Sequence, residues 1–339
     1  MNIAPQTLRI IALVLVLALV VGFFASVIPN YFNARLFNRI SSSVAIMALI
    51  ATAQTLVILT RNIDLSLGSI VGFTAFATGS IVSAHPTAHP IFLVGYAMLV
   101  GAGFGVVNGL LVSYARVPSI IVTLATMAIF RSVLVEYSDA KSITADQLPP
   151  WLVDFPNTVL FEVGGVEFRA AFVAAVGVVL AVHIALSRLR PARQLYAVGS
   201  NPEAAEMAGI NSKRTVFVAF VLAGALTGLG GFMFLARFGT ITVVAGLGFE
   251  FKSVAAAVVG GVNIFGGSGT ALGALIGAVM IDLIDTSLVR WELVSAFWRE
   301  AVLGALILIA VAVDAILMRR LVALRIRRDK DRHAQEAAK

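Results

Sequence analysis

The sequence predicts an all-α fold, a polytopic transmembrane helix bundle of about ten spans, and three observations carry that prediction. The 339 residues are 59% hydrophobic and only 13% charged, with a mean hydropathy of +0.96. A soluble domain carries about 25% charged residues and is at most about half apolar, so a water-soluble enzyme is excluded. The apolar residues also lie in long continuous runs rather than in alternation. Lipid admits only helices or closed barrels, and continuous runs are helical. Finally, the runs approach the roughly 20 residues needed to cross a hydrocarbon core about 30 Å thick.

In chain order, clear runs occupy 10–28, 44–60, 91–114, 170–186, 216–235 and 301–318. Shorter or interrupted runs occupy 67–83, 118–135 and 270–284. A tenth, at 252–264, is Gly-rich and begins on the charge of Lys252. The first run follows Arg9, and Ala25-Ser26-Val27 resembles a cleavage site. Its 19 residues exceed a usual signal h-region, so it is expected to stay as an anchor. The expected organisation is one transmembrane domain, 1–318, followed by a basic tail, 319–339.

Charge sets the expected orientation. Segment 187–214 carries Arg188, Arg190, Arg193, Lys213 and Arg214, and the tail carries eight further cations from Arg319 to Lys339. Both belong in the cytoplasm by the positive-inside rule. Segment 132–169 holds Glu136, Asp139, Asp146, Asp154, Glu162 and Glu167 and belongs in the periplasm. Ten spans then leave both termini cytoplasmic, with Arg35 and Arg39 outside as a mild exception. The same rule accounts for the net charge of +7 without a nucleic-acid partner. With no cysteine, there is no disulfide framework and no Cys-ligated metal site.

Helices in lipid associate through small residues. Gly101, Gly105 and Gly109 stand at four-residue spacing, as do Gly269, Gly273 and Gly277, with Gly224 and Gly228 a shorter version. These predict tight packing and nothing about substrate. Catalytic chemistry is missing from the sequence. There is no P-loop and no H-E-x-x-H, and Gly103-x-Gly105 lies inside an apolar span. His85 and His89 are flanked by Pro86 and Pro90, which favours a loop over a metal site. No cofactor is expected in this chain.

Polar residues at membrane depth are functional candidates. The densest set is Arg61 to Ser69, which joins two apolar runs with almost no loop. It reads either as a tight turn, with Asp64 or Ser66 capping the next helix and Arg61 pairing with Asp64, or as a discontinuous helix lining a path. Glu250 and Lys252, Asp282 and Asp285, and Arg299 and Glu300 are expected at the interface. Asp64 and Asp314 are the nearest candidates for mid-span acids, and both can be placed at the cytoplasmic end, which weighs against an ion-driven carrier. Asn62-Ile63 with Gly68-Ser69 is echoed by Asn263-Ile264 with Gly269-Thr270. Hydroxyl-rich ligands need groups that both donate and accept, so the substrate-path candidates are Asn62, Asp64, Ser66, Asn108 and Asn263. In the basic loop, Asn201 is a natural N-cap, Pro202 suits the first helical position and Gly209 suits the terminator. The short helix between them either lies on lipid or docks a cytoplasmic partner.

At this point the chain resembles the permease subunits of ribose-type bacterial sugar ABC importers. The resemblance rests on Thr60 to Ser69, Asn108 to Val112 with Val117 to Leu124, Ala197 to Ala205 with Gly209-Ile210, and Val258 to Thr270. It implies a ten-helix permease in the bacterial inner membrane, paired with a second copy or a homologue. An ABC ATPase subunit would use the ATP, and a periplasmic sugar-binding protein would deliver the sugar. Pro202, Glu203, Ala204, Ala205, Glu206, Met207 and Ala208 would form the coupling helix seated in the ATPase. The common form has Gly-Gly before Ile-Asp-Leu-Ser, and here Arg61-Asn62 stands in its place. That variant, with Phe73-Thr74-Ala75-Phe76 after it, looks more like the rhamnose or autoinducer-2 branch, and rhamnose is the preferred expectation. An autoinducer-2 permease of the same family and an ion-gradient-driven secondary transporter are the alternatives.

Overall fold

The computed structural model describes residues 5–291, apart from 32, and scattered positions between 298 and 308. The expected run at 301–318, with Asp314, and the tail 319–339 lie outside the described residues apart from those positions. The chain forms α1 (Pro5–Val27), α2 (Ala34–Leu59), α3 (Leu67–Ala84), α4 (Pro90–Gly109), α5 (Ser119–Ser138) and α6 (Pro150–Asp154). A hairpin of β1 (Val159–Val163) and β2 (Val166–Arg169) follows, then α7 (Ala170–Arg188), α8 (Arg190–Ser200), α9 (Pro202–Met207), α10 (Ser212–Phe238), α11 (Phe249–Val259) and α12 (Ala271–Arg290). Among the described residues, seven helices are long and apolar enough to cross a membrane: those within α2, α3, α4, α5, α7, α10 and α12. The hairpin is the one β-sheet among the described residues, beside an isolated bridge between Ile143 and Ile241. Val163 pairs with Val166 around Gly164-Gly165, both at positive φ, as a two-residue type I′ turn requires.

The run expected at 252–264 is not a spanning helix. α11 has 11 residues, about 16 Å at 1.5 Å per residue, roughly half a hydrocarbon core. The glycines set its bounds: Gly246 and Gly248 before it and Gly261 after it all have positive φ. The chain reaches it through the irregular segment 239–248 and leaves it through another, 260–270.

The centre of the bundle is α2, 94% buried in its membrane-length window, whereas α4 and α7 are only 22% buried and form the periphery. A helix apolar on every side belongs in such a centre. Gly101 and Gly105 of α4 face Gly224 and Gly228 of α10, and a side chain at any of the four would strike the opposite backbone. Gly273 and Gly277 do the same for α12 against Gly260 and Ala256. Gly269 precedes α12 at φ +146 and is not part of that stripe.

The two ends of the bundle differ in charge. At one end the acidic segment 132–169 gathers: Ile143 bridges Ile241, and the Glu167 amide donates to Asn38 Oδ1 beside the start of α2 at 3.2 Å. At the other end the close of α2 meets α8 and the 260–270 segment, where Gly267 N donates to Leu59 O at 3.0 Å.

Gly224→Val should lower the unfolding temperature in detergent and reduce yield, because overpacking a closed contact costs about 1–3 kcal/mol or more. Gly103→Ala, on the same helix with open space around it, should leave both unchanged.

Candidate functional site

The break between α2 and α3 is rebuilt from side chains. α2 ends in a left-handed residue, Arg61 at φ +66, with Arg61 N on Ile58 O (2.9 Å) and Asn62 N on Val57 O (3.3 Å). Gly261 ends α11 the same way, with Gly261 N on Val258 O (2.8 Å) and Val262 N on Ala257 O (2.9 Å). The sequence echo therefore marks two helix ends of like geometry.

Asp64 is fully enclosed. Its Oδ1 accepts from Ser66 N (2.8 Å) and Ser66 Oγ (2.6 Å), and its Oδ2 accepts from Asn108 Nδ2 (3.3 Å). Asn108 Nδ2 also donates to Ser66 Oγ at 2.8 Å. With its amide oriented to suit its neighbours, Gln54 donates to Asp64 O (3.0 Å) and accepts from Asp64 N (3.3 Å). Thr123 Oγ1 donates to Ile63 O, and Ile63 N donates to Ser119 Oγ, each at 3.2 Å. The structure thus brings together Asp64, Ser66 and Asn108. Asn62 is folded onto Thr60, its Nδ2 donating to Thr60 O at 2.9 Å. Asn263 closes its own turn, its Oδ1 accepting from Phe265 N at 2.9 Å.

Three local expectations need correction. Ser66 does not cap α3 with its side chain. Its hydroxyl is committed to Asp64, and Asp64 accepts the amide of Ser66 rather than an amide inside the helix. Arg61 does not pair with Asp64. Its Nε donates to Gly199 O (2.5 Å) and its Nη2 to Ser200 O (2.6 Å), the carbonyls that end α8. Glu250 and Lys252, expected at the interface, are enclosed by the bundle rather than exposed at its edge. Glu250 is 4% exposed, and Lys252 Nζ meets Asp285 Oδ2 at 2.9 Å, both side chains largely buried. α11 starts inside the bundle, so a charge in its first turn is carried inward.

Glu250 is the residue that sequence reasoning missed. Its Oε1 accepts from Gly248 N at 3.1 Å, while its Oε2 and Asn108 Oδ1 are buried acceptors without a hydrogen-bond partner. Arg131 of α5 stands near, its Nη1 donating to Val243 O (3.0 Å) and Ala245 O (2.5 Å). Toward the acidic end, α3, α4 and α5 contribute aromatic rings: Phe104 lies 4.4 Å from Phe130, and Phe73 lies 5.4 Å from Tyr137. No cluster of three or more metal-ligating side chains occurs among the described residues.

At the basic end, α9 forms as its local signals direct. Asn201 Oδ1 accepts from Ala204 N (3.0 Å), Pro202 opens the helix, and Gly209 at φ +80 follows its end. Ala205 is buried and anchors the helix, Pro202 is half-buried, and Glu203, Ala204, Glu206, Met207 and Ala208 are exposed. Met207 is 90% exposed, an unusual setting for a large apolar side chain. Behind α9, Tyr196 donates to Gly269 O at 2.9 Å. Burial pushes its hydroxyl pKa to about 12, so it remains a donor throughout the physiological range.

Compared with known proteins, residues 36–311 match the family described as branched-chain amino acid transport system / permease component. The chain is 35% identical over 301 residues to an autoinducer 2 import system permease protein, LsrC, of Yersinia enterocolitica, covering 89% of this chain and 81% of that one. It is 35% identical to LsrC of Yersinia pseudotuberculosis, covering 89% and 83%, and 34% identical to LsrC of an Enterobacter species, covering 88% and 84%. No solved structure matches.

Ser66→Ala should destabilise the protein by about 1–3 kcal/mol, the penalty for leaving buried polar groups unsatisfied. Thermal unfolding in detergent would show this as a lower midpoint, while Ser66→Thr, which keeps the hydroxyl, should recover most of the loss.

Proposed function

The chain belongs to the branched-chain amino acid transport system / permease component family, and from that premise we propose that it is the transmembrane permease subunit of an ATP-driven ABC importer of autoinducer-2. The observation that carries this reading is the likeness to autoinducer 2 permeases across nine-tenths of the chain. Autoinducer-2, a furanosyl signal, replaces rhamnose as the preferred substrate on that ground. The chain is a multi-pass membrane protein and a transport subunit, not an enzyme.

The energy comes from a separate ABC ATPase subunit, since the sequence has no phosphate-binding loop. α9 is the contact for that subunit. It projects exposed Glu203, Glu206 and Met207 from the basic end while buried Ala205 holds it to the bundle. The basic end faces the cytoplasm and the acidic segment faces the periplasm, as the cation distribution favours. Seven long helices, α1, the C-terminal run and a passage of 239–270 in which half-length α11 is continued by irregular chain at both ends would bring the count to about ten, with both termini cytoplasmic. A second permease copy or homologue completes the path, and a periplasmic binding protein delivers the ligand.

Transport proceeds by alternating access, with the polar break as the element that moves. The Asp64–Ser66–Asn108 knot fixes the start of α3 against α4. Glu250 Oε2 and Asn108 Oδ1, buried acceptors without a partner, would take a hydroxyl of the ligand once the break moves. The aromatic rings toward the acidic end provide faces for its C–H surfaces. Asn62 and Asn263, in the two paired turns, belong to the cytoplasmic exit.

In a strain lacking its own autoinducer-2 permease but retaining the other subunits, this chain with its ATPase partner should restore removal of autoinducer-2 from the medium and leave rhamnose untouched. Rhamnose uptake in place of autoinducer-2 would reverse the substrate assignment. Glu203→Arg with Glu206→Arg should abolish uptake while membrane insertion and detergent stability stay normal. Unchanged uptake would remove α9 from the coupling role.

A further inference from the structure

A cavity of about 880 Å³ lies between α7 and α10, away from the polar break. Both helices pack on α2, and the floor between them is Leu56 of α2 and Met98 of α4. The walls are apolar, including Val182 and Ala185 of α7 and Val218 and Leu222 of α10. The lining runs from Val178 of α7 to Leu189, the residue just past its end, about 16 Å at 1.5 Å per residue. That is one leaflet of a hydrocarbon core about 30 Å thick. The cavity therefore has the depth of a single acyl chain and starts from the basic end.

Its mouth is polar and cationic. Gln194 of α8 and Arg214 in the first turn of α10 line it. Arg190, Arg193 and Lys213 stand beside them in sequence, all exposed, and with Arg214 they form no ion pair among the described residues. α8 roofs the cavity with Ala192 and Leu195 and turns its arginines outward. An apolar slot one leaflet deep below unneutralised guanidinium groups fits one ligand class, a lipid with a phosphodiester head. A soluble anion has no use for the slot, and a neutral lipid has none for the arginines. Basic pockets between helices at the cytoplasmic face recognise anionic headgroups in this way.

We propose that the α7–α10 cavity is a binding site for one anionic phospholipid, its acyl chain between the two helices and its phosphate on Arg214 and Gln194. The lipid also supports α8 from beneath, and α8 leads directly into α9. The site does not depend on which solute the chain transports.

The test uses the full chain, purified and delipidated in detergent, with dioleoylphosphatidylglycerol and dioleoylphosphatidylcholine as probes of identical acyl chains. Native mass spectrometry should show one phosphatidylglycerol retained per chain under conditions that strip phosphatidylcholine. Arg214→Gln should weaken that retention about tenfold, the loss of one charge-assisted contact. Ala225→Phe, which fills the cavity from α10, should lower retention without touching the charges. Glycerol 3-phosphate, a headgroup without a chain, should not compete. Equal retention of the two lipids, or retention unchanged in Arg214→Gln, would overturn the proposal. Because the natural chain has no cysteine, Val218→Cys offers a second readout in vesicles. Efficient disulfide dimerisation there would give the groove to a second copy and also overturn it, whereas a monomeric thiol agrees with lipid occupancy.

Discussion

Hydrocarbon offers no hydrogen bonds, so every interruption of a helix inside the bundle must be repaired by the chain itself. The three interruptions described here are repaired by different means. At 60–66 the backbone is taken up by Gln54, Ser119, Thr123 and the Asp64 carboxylate. At 239–248 the guanidinium of Arg131 covers two carbonyls, and Glu250 accepts the amide of Gly248. At 260–270 the repair comes from Asn263, Tyr196 and the carbonyl of Leu59. The buried carboxylate and amide side chains Gln54, Asp64, Asn108, Glu250 and Asn263 lie at these places, whereas the buried hydroxyls are spread along the helices.

These repairs also connect the interior to the exposed basic end. Arg61 occupies a left-handed position that costs a non-glycine residue about 1–2 kcal/mol. Its guanidinium offsets that by capping the last carbonyls of α8, immediately before the Asn201 cap of α9. Gly199 fits between Leu59 O and Gly267 N, where a side chain would strike both. One contact set therefore joins the end of α2, the end of α8 and the 260–270 segment. The chain entering α9 and the chain entering α3 are thus joined directly by a few hydrogen bonds. This gives a physical reason for an arginine at a left-handed position.

Much of this was legible from the sequence because it is local. The caps at Asn201 and Gly209 depend on neighbours within a turn, and the long apolar runs depend only on composition. The polar cluster at 61–69 was visible, and so was its weak echo at 263–270, though only the structure shows that a helix ends alike before each. What was not legible depends on residues far apart in the chain. Asn108 is 44 residues from Asp64, and Arg61 is 138 from Gly199, so sequence reasoning gave Arg61 the nearest anion. Glu250 reads with Lys252 as a charged pair at the start of a marginal run, a reading that leaves Gly246 and Gly248 before it out of account. Those glycines instead let the chain enter the bundle before the helix begins, which also shortens the expected span to a half-length helix.

The central claim is that this chain moves its solute only when another subunit supplies the energy, through a contact made at α9. The most direct measurement is mild-detergent purification of the tagged chain from cells actively taking up autoinducer-2, with mass spectrometry of what elutes with it. The account predicts an ABC-type ATPase in the eluate in stoichiometric amount. A folded chain that elutes with no ATPase, and that still accumulates autoinducer-2 in liposomes on an ion gradient, would contradict it.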